Sequence, residues 1–308
     1  MALTRRIFLF LAVNILVVIM ISLLLNVLNV RPYLQAYGLN YSSLAVFCLV
    51  WGMGGALFSL SISRIMAKWL MRVQLIDPNT RDSQLSQLVD LVHRLAKDAK
   101  LPTMPQVGVY HSPEVNAFAT GPSKRLSLVA VSSGLLNRMS MPEIEAVLAH
   151  EVSHVANGDM VTMTLMQGII NAFVMFLARV LAFAFSGLGR GRDQNNSGGS
   201  YASFAIMTFL FEILFMLLGS IAIAWFARQR EFRADAGGAR LAGKNKMISA
   251  LQALQRVQDI HSHAHQPQAA AAFEAFQISG KGKAGWLRLF ATHPPLEERI
   301  ARLQQGTV

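Results

Sequence analysis

Long uncharged apolar blocks alternate with mixed-polarity stretches along this chain. The first block runs from Ile7 to Val30, behind Arg5 and Arg6. The second runs from Leu44 to about Ser63, with Arg64, Lys68 and Arg72 after it. The third and fourth, about Val161 to Gly187 and Ser203 to Phe226, carry Gln167, Asn171, Arg179 and Glu212 within them. Each block is long enough to cross a bilayer as a helix, so four transmembrane helices are predicted. Ile7–Val30 is too long for a signal peptide and lacks a small-residue cleavage site. The connector from Arg31 to Ser43 holds a single basic residue, whereas both flanks of the first two blocks are basic. The positive-inside rule therefore places the N-terminus and the chain beyond Arg64 in the cytoplasm. The Gly-, Ser- and Asn-rich stretch from Gly189 to Ser200 reads as a flexible polar turn. Its two arginines keep open an arrangement in which the last two blocks form a hairpin on the polar domain, although their length favours spanning.

The charges inside those two blocks are costly in hydrocarbon unless paired or hydrated. With the third helix running outward and the fourth inward, Arg179 and Glu212 fall at nearly the same depth, which predicts an ion pair. The polar remainder forms one domain split by the hairpin. Leu88, Val89, Val92, Leu95, Ala96 and Ala99 recur at helical spacing. Gln106–His111, Val115–Gly121 and Leu126–Ser132 alternate as strands do, with turns at Ser112-Pro113 and Gly121-Pro122-Ser123. Helices are predicted over Glu231–Leu241, Lys246–Ile260 and Pro295–Leu303, and a loop over His261–Gly285. The fold class is α+β, mainly α. Residues 1–72 form an N-terminal transmembrane helix pair and 73–160 the first part of the polar domain. Residues 161–228 form a membrane hairpin and 229–308 the second part of the domain.

Composition agrees. A chain with 53% hydrophobic and only 15% charged residues is too apolar for an ordinary soluble protein. The formal charge of +11 is explained by basic membrane flanks, and no basic-aromatic groove motif points to nucleic acid. The lone cysteine, Cys48, excludes an intramolecular disulfide framework.

Chemistry concentrates at His150-Glu151-Val152-Ser153-His154. On a helix, residues i and i+4 share a face, so both imidazoles can reach one metal. Glu151 lies beside them, where it can take a proton from a zinc-activated water. Ser140 with Glu143 three residues on reads as a capping box, and Asn157-Gly158 as a helix stop. A catalytic zinc takes three protein ligands, so an Asp, Glu or His on another element must supply the third. Glu231 and Asp235, at i and i+4, resemble the Glu-x-x-x-Asp pair of the gluzincin zinc proteases. In those proteases the Glu binds zinc and the Asp orients a ligating histidine. His261, His263 and His265 read instead as a solvated polar cluster.

Two rival readings exist. An intramembrane protease would carry the metal helix through the bilayer, but Glu143, Glu145, His150, Glu151, His154 and Asp159 make that segment too polar. A non-catalytic, zinc-stapled membrane scaffold would have no need of Glu151.

The chain as a whole resembles the HtpX-type heat-shock membrane zinc metalloproteases, relatives of the type I CaaX prenyl proteases. The resemblance rests on the two N-terminal apolar blocks, Asn116-Ala117-Phe118-Ala119-Thr120-Gly121, the His150–His154 motif, the hairpin, Glu231-x-x-x-Asp235 and His293-Pro294-Pro295. It implies a multi-pass protein of the bacterial inner membrane, with one zinc per chain held by His150, His154 and Glu231 in a cytoplasmic gluzincin-type domain. It implies an endopeptidase for damaged or misassembled membrane proteins, with polypeptide substrates and the lipid bilayer as its partners. It makes Asn116, Ala117, Phe118, Ala119, Thr120 and Gly121 the edge strand along which an extended substrate pairs. It also makes His293 the candidate donor to the oxyanion of the tetrahedral intermediate.

Overall fold

The computed structural model describes residues 40–188, 197–264 and 287–306. The predicted span Ile7–Val30, and with it the N-terminal half of the first helix pair, lies outside the described residues. So do His265 and residues 189–196 of the predicted turn, whose last four residues, Ser197–Ser200, are helical instead. In chain order the described elements are α1 (Tyr41–Leu70), β1 (Gln74–Leu75), α2 (Ser83–Asp98), β2 (Gln106–Tyr110), β3 (Ala117–Thr120) and β4 (Leu128–Ser132). There follow α3 (Ser133–Arg138), α4 (Met141–Asn157), α5 (Asp159–Leu188), α6 (Ser197–Ala242), α7 (Lys244–Ala264), a 3₁₀ turn (Leu287–Phe290) and α8 (Leu296–Gln305). The protein is thus mainly helical with one small sheet. Three of the described helices, α1, α5 and α6, are long and apolar enough to cross a membrane.

The chain divides into two compact units. One is drawn from the described residues up to Phe58 and from Thr164–Ala222. Here α5 lies against α1 and α6. A Cβ at Gly52 would come within 2.6 Å of the Ala172 backbone, and one at Gly219 within 2.6 Å of Ile170. Small residues at these crossings let apolar helices approach closely where lipid offers no hydrophobic drive. Arg179 and Glu212 meet between α5 and α6, Nη1 to Oε1 at 2.8 Å, as their equal depth predicts. Arg179 also donates to the Met175 carbonyl.

The second unit comprises Ser59–Met163 and Ile223–Val308. Its four-stranded sheet has the order β1-β2-β4-β3. β2 and β4 run parallel, while β1 and β3 flank them antiparallel. β4 is buried along its whole length, so its run of Leu, Val and Ala is continuous rather than alternating. One sheet face packs with α2, α4 and α7 in the main core, where Val92, Leu148, Val152 and Leu251 are fully buried. Tyr110, Leu128 and Ala130 form a smaller cluster with Val73.

Three expectations change. The fourth apolar block and the helix predicted over Glu231–Leu241 are one element: α6 runs unbroken to Ala242, because neither Gly, Pro nor a cap interrupts Phe226–Glu231. α7 extends to Ala264, so His261 and His263 are helical, not in a loop; the first Pro after Lys244 is Pro267. β1 and α3 were not predicted. A two-residue strand carries no readable period, and α3 follows β4 directly, the Ser132 hydroxyl accepting from Leu135 N–H at 3.0 Å.

Candidate metal centre

Local sequence chemistry builds the helix that carries the motif. The Glu143 carboxylate accepts from the Ser140 backbone N–H at 2.9 Å and from its hydroxyl at 2.8 Å, closing the capping box of α4. Glu143 and Glu145 then take Arg256 and Lys246, which ties α4 to α7. At the other end Gly158 is left-handed, with φ 72°, and its N–H returns to the carbonyls of the last turn. Lys124 also donates to the Ala156 carbonyl there.

His150 and His154 lie on the buried face of α4, and Glu231 faces them from α6. The Nε2 atoms of the two histidines are 3.0 Å apart. Glu231 Oε2 lies 3.5 Å from His150 Nε2, and Oε1 lies 3.3 Å from His154 Nε2. Ligands on tetrahedral bonds of 2.0–2.1 Å would be spaced about 3.3 Å apart, so the three groups match a zinc-sized tetrahedral face. Among the described residues they are the group of three able to hold a metal ion.

The outer nitrogens are held as a metal-binding histidine requires. His150 Nδ1 lies 3.0 Å from Asp235 Oδ1, and His154 Nδ1 lies 2.6 Å from Asp159 Oδ2. Each carboxylate fixes its ring's tautomer and turns Nε2 inward. Asp235 is held in turn by Arg299 of α8, whose Nη2 and Nε donate to its two oxygens at 2.6 and 2.8 Å. Arg299 is itself buried, and its Nη1 is 3.6 Å from Glu231 Oε2. A fork-to-fork pair of this kind fixes direction as well as charge.

The electrostatics follow from this network. Burial works against a charged His150, but its hydrogen bonds to Asp235 and Glu231 outweigh that and raise it to about 9. His154 is raised as well: burial opposes charge there, and Asp159 and Glu231 overcome it. Glu231 is pushed far below the usual carboxylate range, since His150, His154 and His293 more than offset its burial.

Close backbone approach brings α6 to α4. A Cβ at Gly237 would fall 2.5 Å from Ser153 Oγ, and one at Gly238 within 3.2 Å of the His150 backbone nitrogen. No side chain larger than hydrogen fits at Gly237 without moving α6, and Glu231 with it.

The other predicted site residues are placed as follows. Glu151 is half-buried on α4, beside the histidines. His293 puts Nδ1 3.0 Å from Glu231 Oε2, yet its side chain is 67% exposed. Ala117–Thr120 form β3, which pairs only with β4 among the described residues and so leaves one edge open. Asn116 precedes it, its carbonyl accepting from the Ser132 N–H at 2.9 Å and its own N–H donating to the Ser132 hydroxyl at 3.1 Å, and Gly121 ends it at φ 143°. Sequence reasoning missed two residues. Asp159 had a signal, a carboxylate one step beyond the helix stop, but only the left-handed turn at Gly158 swings it onto His154. Arg299 had none, because its partners lie 64 and more residues away.

Comparison with known proteins identifies the family. The profile of peptidase family M48 matches residues 82–307. The chain belongs to peptidase family M48. It is 50% identical to a protease HtpX homolog of Thiobacillus denitrificans, over 97% of this chain and 99% of that one. It is 49% identical to protease HtpX of Thioalkalivibrio sulfidiphilus, over 97% and 98%. In three dimensions it resembles the crystal structure of S. mikatae Ste24p with a TM-score of 0.56 at 16% identity. That match covers 96% of this chain and 66% of the other, so this chain spans slightly less than two thirds of Ste24p. The M48 chain is therefore a membrane metallopeptidase, a hydrolase, and the reading as a non-catalytic scaffold is set aside.

Proposed function

We propose that the protein is a zinc endopeptidase of the bacterial inner membrane. It cleaves damaged or misassembled membrane proteins at the cytoplasmic face. The observation that carries this reading is the convergence of His150 Nε2, His154 Nε2 and the Glu231 carboxylate, with both outer imidazole nitrogens on carboxylates. Two imidazoles and one carboxylate are the donor set of a catalytic zinc with one position left open. His150, His154 and Glu231 would hold the ion, and Asp235 and Asp159 would orient the two rings.

Zinc, when bound, would lower the pKa of a water molecule and polarise the scissile carbonyl. Glu151 accepts the proton of the attacking water and delivers it to the leaving amine. It suits that role as the acidic residue of the motif face that is only half-buried. His293 reaches Glu231 with one nitrogen and, being exposed, can offer the other to the developing oxyanion. The open edge of β3 recognises an extended substrate through its backbone more than its side chains, which suits an enzyme with many clients. Arg64, Lys68 and Arg72 at the C-terminal end of α1, against an uncharged N-terminal side, support the cytoplasmic placement of the chain that follows.

Glu151→Gln tests the mechanism. The variant should keep zinc at the wild-type stoichiometry and lose about 10²–10⁴-fold in casein or peptide hydrolysis. Wild-type hydrolysis should vanish with a chelator and return with zinc. Near-normal turnover by the variant would rule Glu151 out as the base.

A further inference from the structure

One stripe of α6 fastens the last part of the described chain. Residues 228, 231, 232 and 235 stand at i, i+3, i+4 and i+7, so they share a helix face. Arg228 Nη1 donates to the carbonyls of Ala291, Leu289 and Arg288, at 2.6, 3.2 and 3.3 Å. Glu231 meets His293, the Phe232 ring lies 3.6 Å under the Arg302 guanidinium, and Asp235 clamps Arg299. Three of these contacts touch the metal centre or the helix behind it. The Arg228 contact lies upstream of His293 and touches nothing in the centre.

We propose that Arg228 is the positioning residue for His293. The inference rests on the reading of His293 as a group that acts on substrate. The carbonyls of the 3₁₀ turn and of Ala291 carry the negative end of a turn dipole, and one guanidinium gathers them. Ala291 stands two residues before His293. The residue before a proline is restricted to extended backbone, and Pro294-Pro295 fix the φ angles that follow. With so little rotational freedom on its C-terminal side, His293 goes where Ala291 and α8 are held. Arg299 holds the α8 end and Arg228 holds the other. His293 is 67% exposed, so packing does little to fix it and tethering must do the rest.

The test uses the full-length, zinc-loaded protein in detergent, with Arg228→Ala, Arg228→Lys, His293→Ala and the Arg228→Ala/His293→Ala pair. Hydrogen exchange in peptides covering 287–295, zinc stoichiometry, kcat and KM are measured on each. Arg228→Ala should speed exchange at 288–293 and lower kcat about 10–100-fold, the scale of a misplacement near 1 Å, with zinc content unchanged. All three contacts run through the one nitrogen Nη1, so the single ammonium of Arg228→Lys can partly replace them, and its kcat should fall between those of the wild type and Arg228→Ala. In the His293→Ala background, Arg228→Ala should change kcat less than about twofold, since residues acting as a unit are non-additive. Unchanged exchange at 288–293 in Arg228→Ala overturns the proposal, as does full additivity of the two losses. A normal kcat in His293→Ala would instead remove the role assigned to His293, and the exchange result would still decide whether Arg228 tethers it. Should Arg228→Ala not fold, Arg228→Lys carries the same comparisons.

Discussion

A carboxylate behind each histidine sets the proton chemistry of the centre. His150 is raised to about 9, against burial, by its bonds to Asp235 and Glu231. In the metal-free protein it is therefore protonated at pH 7, whereas a zinc ligand must be neutral. The sign follows directly: zinc binding expels that proton, and apparent affinity falls as pH drops below about 9. Calorimetry at pH 7 in buffers of different ionisation enthalpy should show net proton release on zinc binding. Asp235→Asn should reduce that release, because the raising partner is gone. A buffer-independent heat would show that His150 is neutral before the metal arrives. Arg299 belongs to the same network. It keeps Asp235 ionised and aimed, a role a lysine cannot copy with one ammonium group.

Between elements, the ion pair of α5 and α6 invites measurement. Arg179 and Glu212 are joined at 2.8 Å, with about a quarter of each side chain exposed. In a membrane-spanning hairpin that exposure is costly for a lone charge. Arg179→Leu and Glu212→Leu should each lower the melting temperature in detergent, and the double variant should be more stable than either. Removing one partner strands a charge, whereas removing both does not. The expected coupling is about 0.5–3 kcal/mol, as for contacting residues. Additive effects would mean that the pair adds nothing to the hairpin. Glycine acts differently between α4 and α6: at Gly237 its value lies in the missing side chain, which lets Ser153 and α6 touch.

On the scale of the whole molecule, the single thiol makes membrane topology measurable. With Cys48 replaced by Ser, cysteines introduced at the exposed positions Ser42, Asn137 and Gln252 report on separate segments. In intact spheroplasts a membrane-impermeant maleimide should label Ser42→Cys. It should reach Asn137→Cys and Gln252→Cys only after lysis. Labelling of Asn137→Cys from outside would invert the proposed orientation. Much of this protein was legible from sequence alone, for local reasons. Apolar run length announced α1, α5 and α6; an i, i+4 spacing put His150 and His154 on one face; Ser140, Glu143 and Gly158 marked the ends of α4; and matching depths paired Arg179 with Glu212. Each depends on residues near one another in sequence or on a helix's fixed rise. The tertiary structure alone decided the rest. Asp159 reaches His154 because the turn at Gly158, left-handed in the folded chain, brings it back onto the ring. Arg299 and Arg228 find partners some 60 residues away. Such contacts are selected by packing of the folded chain, and no periodicity in the sequence encodes which distant charge will meet which.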